Sequence, residues 1–184
     1  MAKYCPIIIV RHGAYGSDDR LSEVGKEQIV ALATKLKKAF SSKPQWFDES
    51  AILGETTLLF SSTAPRAKDS AEVLQKELGL SSLSLDENLW SDKKHPFTPA
   101  KIKALKDKID AFFAGEEKKL IIIVSHLEFT NEFCEKAGHF YSSTPDWQRK
   151  FHCEYGEGIL TWLSNHGPTS TSLNDYFSRT ILQK

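Results

Sequence analysis

Hydrophobic residues fall along this chain in two rhythms, continuous runs of four or five and looser stretches at helical spacing. Ile7-Ile8-Ile9-Val10 and Leu120-Ile121-Ile122-Ile123-Val124 are the continuous runs. With no polar residue to turn outward, each predicts a strand buried on both faces, as inside a parallel sheet. Thr57 to Ser61 is a third strand candidate and Leu83 to Leu85 a short fourth. Between them lie helical patterns: Ile29, Leu32, Ala33 and Leu36 behind a Ser22 N-cap; Ala67, Ala71, Leu74 and Leu78 up to Gly79; Ile102, Leu105, Ile109, Phe112 and Phe113 up to Gly115. Ser62 or Thr63 is the expected cap of the second helix, with Pro65 in its first turn. A fourth helix is expected from about Phe129 to Ala137.

The connections are polar. Ala14 to Arg20 and Asp86 to Phe97 read as loops, the latter anchored by Leu89 and Trp90. Ser41 to Glu55 reads as an irregular connection containing Pro44, Trp46 and Phe47. Phe151 to Tyr155 and Gly158 to Leu163 are expected to be two strands joined at Gly156-Glu157-Gly158, and the Ser/Thr-rich tail from Asn165 a loosely packed end. No repeat period appears. Strands alternating with helices predict one α/β domain over residues 1–184, a three-layer α/β/α sandwich with a largely parallel sheet and an antiparallel edge strand.

Composition narrows this little. The 184 residues are 40% hydrophobic and 26% charged, with 24 basic residues against 24 acidic ones. No net field favours nucleic acid or a membrane surface as partner, so any anion site must be local. Cys5, Cys134 and Cys153 are too few and too irregular for a disulfide framework or a structural zinc site. With no signal-like or membrane-spanning run, the expectation is a reduced, cytoplasmic protein.

Candidate chemistry lies where the strands stop. The first ends on Arg11-His12-Gly13, the second leads to Arg66, and the last apolar run ends on Ser125-His126. Strands of one parallel sheet share a carboxyl edge, where open α/β sheets bind ligands. Two arginines and two histidines there suit a phosphoryl group. Arginine binds phosphate oxygens with a planar fork of permanent charge, and histidine can attack phosphorus and carry the group transiently. Fixed cationic donors stabilise the charge spread in the transition state, so neither metal nor cofactor is called for. Gly13, Ser17 and Leu127 are the candidate substrate contacts.

The residues at these positions resemble the histidine phosphatase superfamily, the phosphoglycerate-mutase-like fold. The likeness rests on Arg11-His12-Gly13; on Leu21, Ser22, Gly25 and Gln28 of a leucine–Ser/Thr–x–x–glycine–x–x–glutamine signature; on Ser62, Arg66 and Ala67; and on Val124-Ser125-His126. These motifs span about two thirds of the chain. The resemblance implies a phosphohistidine at His12, with Arg11, Arg66 and His126 completing a phosphate pocket. Val124-Ser125-His126-Leu127 is similar to the small phosphohistidine-phosphatase-like branch. Implied substrates are a small phosphate ester or a phosphohistidine-bearing protein. A mutase-type phosphotransferase and a non-catalytic phospho-ligand-binding domain are the alternatives. Many members place a glutamate acid in the loop after the third strand, but Ser91 falls in that slot here. Glu87, Asp92 or Glu128 could supply the acid, or none.

Overall fold

In the computed structural model, described over residues 5–41, 57–113, 120–133, 152–163, 169–175 and 177, the two isoleucine runs lie side by side. β1 (Cys5–Arg11) and β4 (Leu120–Ser125) pair in parallel, Ile8 opposite Ile122 and Arg11 opposite Ser125. β2 (Thr57–Ser62) pairs in parallel with β4 and with β3 (Leu83–Asp86). β5 (Gly158–Leu163) runs antiparallel along the other side of β1, and β6 (Thr169–Ser172) runs antiparallel to β5. The sheet order is β3-β2-β4-β1-β5-β6, so β1 and β4 are central, as their unbroken apolar sequences require.

Alternate residues of the central strands feed two cores. Ile8, Val10, Ile122 and Val124 pack with Ile29, Leu32 and Leu36 of α1 (Glu23–Ser41) and Ala67, Ala71 and Leu74 of α2 (Pro65–Leu78). Ile7, Ile9, Ile121 and Ile123 pack with Ile102, Leu105 and Ile109 of α3 (Pro99–Phe113) and with Phe129 and Phe133 of α4 (residues 127–133). Helices therefore cover both faces of the sheet, the three-layer α/β/α arrangement read from the sequence.

Ser22 caps α1 as expected, its Oγ accepting from Gly25 N (3.1 Å) and donating to Ala14 O (2.9 Å). α2 differs: its N-cap is Ala64, with no side-chain cap, while Ser62 Oγ accepts from Ala64 N one step earlier. The expected strand at Phe151 to Tyr155 does not form over residues 152–155. That stretch turns back on β1 instead: Cys153 O accepts from Arg11, and Gly156, at φ 71°, donates its N–H to the carbonyls of Arg11 and His12. The tail departs from expectation as well. β6 pairs with β5, and Leu173 and Phe177 are buried in the α1–α2 core. The fourth helix begins at residue 127 rather than Phe129. The Ser41–Glu55 connection beyond residue 41, Cys134, Gly115 and the helix beyond residue 133 lie outside the described residues.

Candidate active site

The carboxyl ends of the parallel strands bring together four side chains from three chain segments. His12 follows β1, Arg66 is the second residue of α2, His126 follows β4, and Arg11 is the last residue of β1. His12 N donates to Ser125 O (2.9 Å), tying the ends of the two central strands together.

The neighbours of His12 determine its chemistry. Nδ1 lies 2.8 Å from Gly13 O, which can only accept, so Nδ1 carries the proton. Nε2 then bears the lone pair and accepts from Arg66 Nε (3.1 Å). The ring is buried, and that burial, with Arg66 and Arg11 nearby, lowers its pKa from 6.5 to about 4. A neutral imidazole with Nε2 unprotonated is the nucleophilic form.

Arg66 is the hub, 8% exposed. Besides Nε to His12, its Nη2 donates to His126 Nδ1 (3.2 Å) and its Nη1 is ion-paired with Asp19. Arginine cannot accept, so His126 Nδ1 is unprotonated and His126 Nε2–H donates to Ser62 Oγ (2.9 Å). Burial first, then His12 and Arg66, lower the His126 pKa to about 2. The two imidazole centroids are 5.1 Å apart. Arg11 Nη1 donates to Cys153 O (2.8 Å), and its guanidinium lies 3.8 Å from the centroid of Tyr155. Arg11 Nε is buried with no hydrogen-bond partner, a donor left over for an anion.

The motifs that flank His12 have a packing logic. A Cβ on Gly13 would sit 2.5 Å from Gly25 O, and one on Gly25 would sit 2.0 Å from Ala14 O. Gln28 Oε1 accepts from Ala14 N (2.9 Å), and Gly13 N donates to Ser70 Oγ (3.1 Å). The glycines thus let the turn after β1 lie directly on the first turn of α1. As a substrate contact Gly13 is not free: its space is filled by α1 and its N–H is already taken.

The remaining candidates separate clearly. Ser17 is exposed in the 14–20 loop and has no hydrogen bond to the four central side chains. Leu127 opens α4 directly after His126, half-buried. Glu87 is exposed in a short 3-10 turn, and Glu128 is half-buried in the first turn of α4; neither is bonded to the four central side chains. Asp92 does approach, 3.7 Å from Arg66 Nη2. It is poorly suited to giving up a proton, because it accepts from Trp90 Nε1 (2.8 Å), Lys94 N, His95 N and His95 Nδ1. These donors outweigh its partial burial and hold its carboxyl well below the usual range. Ser91 is fully buried and its Oγ has no hydrogen-bond partner.

Three pocket residues escaped the sequence reading. Asp19 reaches Arg66 from the 14–20 loop at φ 62°. The rings of Tyr15 and Tyr155 lie 5.4 and 5.6 Å from His12, and Tyr15 lies 4.9 Å from the Arg66 guanidinium. Asp19 lies two residues ahead of Leu21 in a polar loop closed by the Tyr15–Leu21 bridge, a contact that no sequence pattern announces. Among the described residues no group of three His, Cys, Asp or Glu side chains is placed to hold a metal ion.

The same arrangement of strands and helices recurs in solved structures. A phosphoglycerate mutase from Bacillus anthracis superposes with a TM-score of 0.63 at 16% identity, covering 98% of each chain. The chain has the phosphoglycerate-mutase-like fold. A mycobacterial glucosyl-3-phosphoglycerate phosphatase matches this fold at TM-score 0.57 and 19% identity, over 91% of this chain and 96% of that one. A protein described as a phosphohistidine phosphatase, from Agrobacterium tumefaciens, matches at TM-score 0.50 and 15% identity, over 91% and 95%. No family model matches the sequence, and no curated protein matches it. The likeness to these proteins is thus one of architecture.

Proposed function

We propose that the protein is a phosphatase that works through a covalent phosphohistidine at His12. The observation that carries this is the state of His12: buried, neutral, protonated on Nδ1, with Nε2 beside Arg66 and His126. An incoming phosphoryl group takes over the donors that now rest on the two imidazoles. Arg66 Nε moves from His12 Nε2 to a phosphoryl oxygen, which frees the lone pair to attack phosphorus. Arg66 Nη2 and the unpartnered Arg11 Nε supply further donors to the equatorial oxygens, where transition-state charge accumulates. His126, kept neutral, offers a hydrogen bond from Nε2 in exchange for Ser62. Water then attacks the phosphohistidine and releases inorganic phosphate.

The substrate in this reading is a small phosphate ester or a phosphohistidine-bearing protein. The imidazole of a phosphohistidine leaves with little help, which suits a pocket where Glu87 and Glu128 make no bond to the four central side chains and Asp92 is held ionised by its donors. Sparse cysteines support a cytoplasmic setting, and no helix among the described residues is long and apolar enough to cross a membrane. The test is hydrolysis of p-nitrophenyl phosphate by wild type and His12→Ala, followed by a panel of phosphohistidine protein, phosphoserine peptide and sugar phosphates. Activity should vanish in the variant. Equal rates would refute the enzyme reading.

A further inference from the structure

The pocket as described is closed by its own carboxylate. Arg66 has three directions in which to donate, and they end on His12, His126 and Asp19. The two histidines are neutral, so Asp19 is the charged partner in hydrogen-bonding contact, with Asp92 farther out at 3.7 Å. Arg20, beside Asp19, is directed away into an ion pair with Asp69 (2.9 Å). A phosphoryl dianion that takes Arg66 must therefore meet the Asp19 carboxylate at close range. Like charges at that distance are relieved when one proton is taken up and shared.

We propose that Asp19 is the acid and base of the leaving-group side, the role that Glu87, Asp92 and Glu128 do not fill. The assignment rests on the phosphohistidine reading above and deepens it. Three observations support it. Asp19 touches Arg66, so it lies within one side chain of the phosphoryl site. Its side chain is 38% exposed where that of Arg66 is 10% exposed, which puts it on the solvent side, where a leaving group departs. It also sits half-exposed in a loop, where rotation of its side chain has room to carry the carboxyl from Arg66 to a substrate oxygen.

Protons and electron pairs balance through the cycle. Dianion entry brings one proton from solvent onto Asp19. His12 Nε2 forms a bond to phosphorus as the bond to the ester oxygen breaks, and the Asp19 proton passes to that oxygen to give the alcohol. The Asp19 carboxylate then takes a proton from water as its oxygen attacks phosphorus. The P–N bond breaks, its electron pair returns to Nε2, phosphate departs, and Asp19 gives back to solvent the proton taken up on entry.

The experiment is Asp19→Asn, which keeps an acceptor for Arg66 and tolerates the same φ, assayed on p-nitrophenyl phosphate, phenyl phosphate and an alkyl phosphate. Proton donation to a poor leaving group contributes about a hundredfold or more. The alkyl phosphate should therefore lose at least about a hundredfold in kcat/KM, with p-nitrophenyl phosphate losing under about tenfold. Inhibition by inorganic phosphate should tighten, because a competing carboxylate is gone. An equal loss on all three esters, or weaker phosphate inhibition, would mean that Asp19 only holds Arg66 in place, and would overturn the proposal. Failure of the underlying reading looks different: wild type would hydrolyse none of the esters, or His12→Ala would hydrolyse them all as well as wild type.

Discussion

Lowering the pH should destabilise this fold well before its carboxylates titrate, because its two site histidines are folded in neutral form. In the unfolded chain each imidazole binds a proton near its ordinary pKa of 6.5; in the folded chain burial and the arginines defer this to about 4 for His12 and about 2 for His126. Between pH 6.5 and 4 the unfolded state therefore holds more protons, and stability falls as the pH falls. At pH 5 each group lies 1.5 pH units below its unfolded pKa, a loss of about 2 kcal/mol per histidine and about 4 kcal/mol together. That is a large part of a typical domain's stability of about 5–15 kcal/mol. Asp86 and Asp92, whose pKa values are lowered, act in the same direction only below their unfolded value near 3.8, outside this window. With a urea slope of about 2 kcal/mol per molar, the unfolding midpoint should drop by about 2 M between pH 8 and pH 5. His126→Gln, which cannot titrate, should remove roughly half of that drop. Urea titrations followed by tryptophan fluorescence and circular dichroism give the midpoints. A wild-type midpoint that stays constant from pH 8 to pH 5 would refute the claim that both imidazoles are held neutral.

Two substitutions probe the frame around His12. Arg66→Lys puts one ammonium where a planar fork now serves His12, His126 and Asp19, so kcat should fall by about a hundredfold to a thousandfold; steady-state rates within tenfold of wild type would contradict the hub role. Gly25→Ala forces a Cβ to 2.0 Å from Ala14 O and should cost about 3 kcal/mol through overpacking. Calorimetry should then show a melting temperature lower by about 10 °C, and an unchanged value would mean that the turn after β1 does not need this close approach.

How much of the molecule is legible in its sequence follows from how local each signal is. The runs Ile7–Val10 and Leu120–Val124 announce central strands because a short segment that is apolar at every position must be buried on all sides. Their endings place His12, Arg11 and His126 on one edge, and Arg66 comes with the next strand–helix junction. β6 was missed because Thr169-Ser170-Thr171-Ser172 has no apolar alternation; it is a short edge strand that pairs through its backbone. Residues 152–155 have the aromatic and cysteine content of a strand, yet their polar groups are spent on Arg11 and the turn at Gly156. Asp19, Tyr15 and Tyr155 were illegible for a different reason. Their roles depend on how two loops fold over the sheet edge, and a polar loop carries no periodicity to show it. The acid candidates show the same limit in reverse: all three are near the site in sequence, but Glu87 and Glu128 make no bond to the four central side chains, and Asp92 is engaged by Trp90 and His95.

Everything proposed for this pocket depends on a phosphoryl group being carried on Nε2 of His12. Rapid quenching of the enzyme with a phosphorus-labelled ester, at a pH that preserves phosphoramidates, tests that step directly when followed by peptide mapping. The expected result is an acid-labile label on the peptide that contains His12, made and lost at rates consistent with turnover, and absent in His12→Ala. Label on His126, on a serine or on a cysteine, or label that persists in His12→Ala, would contradict it.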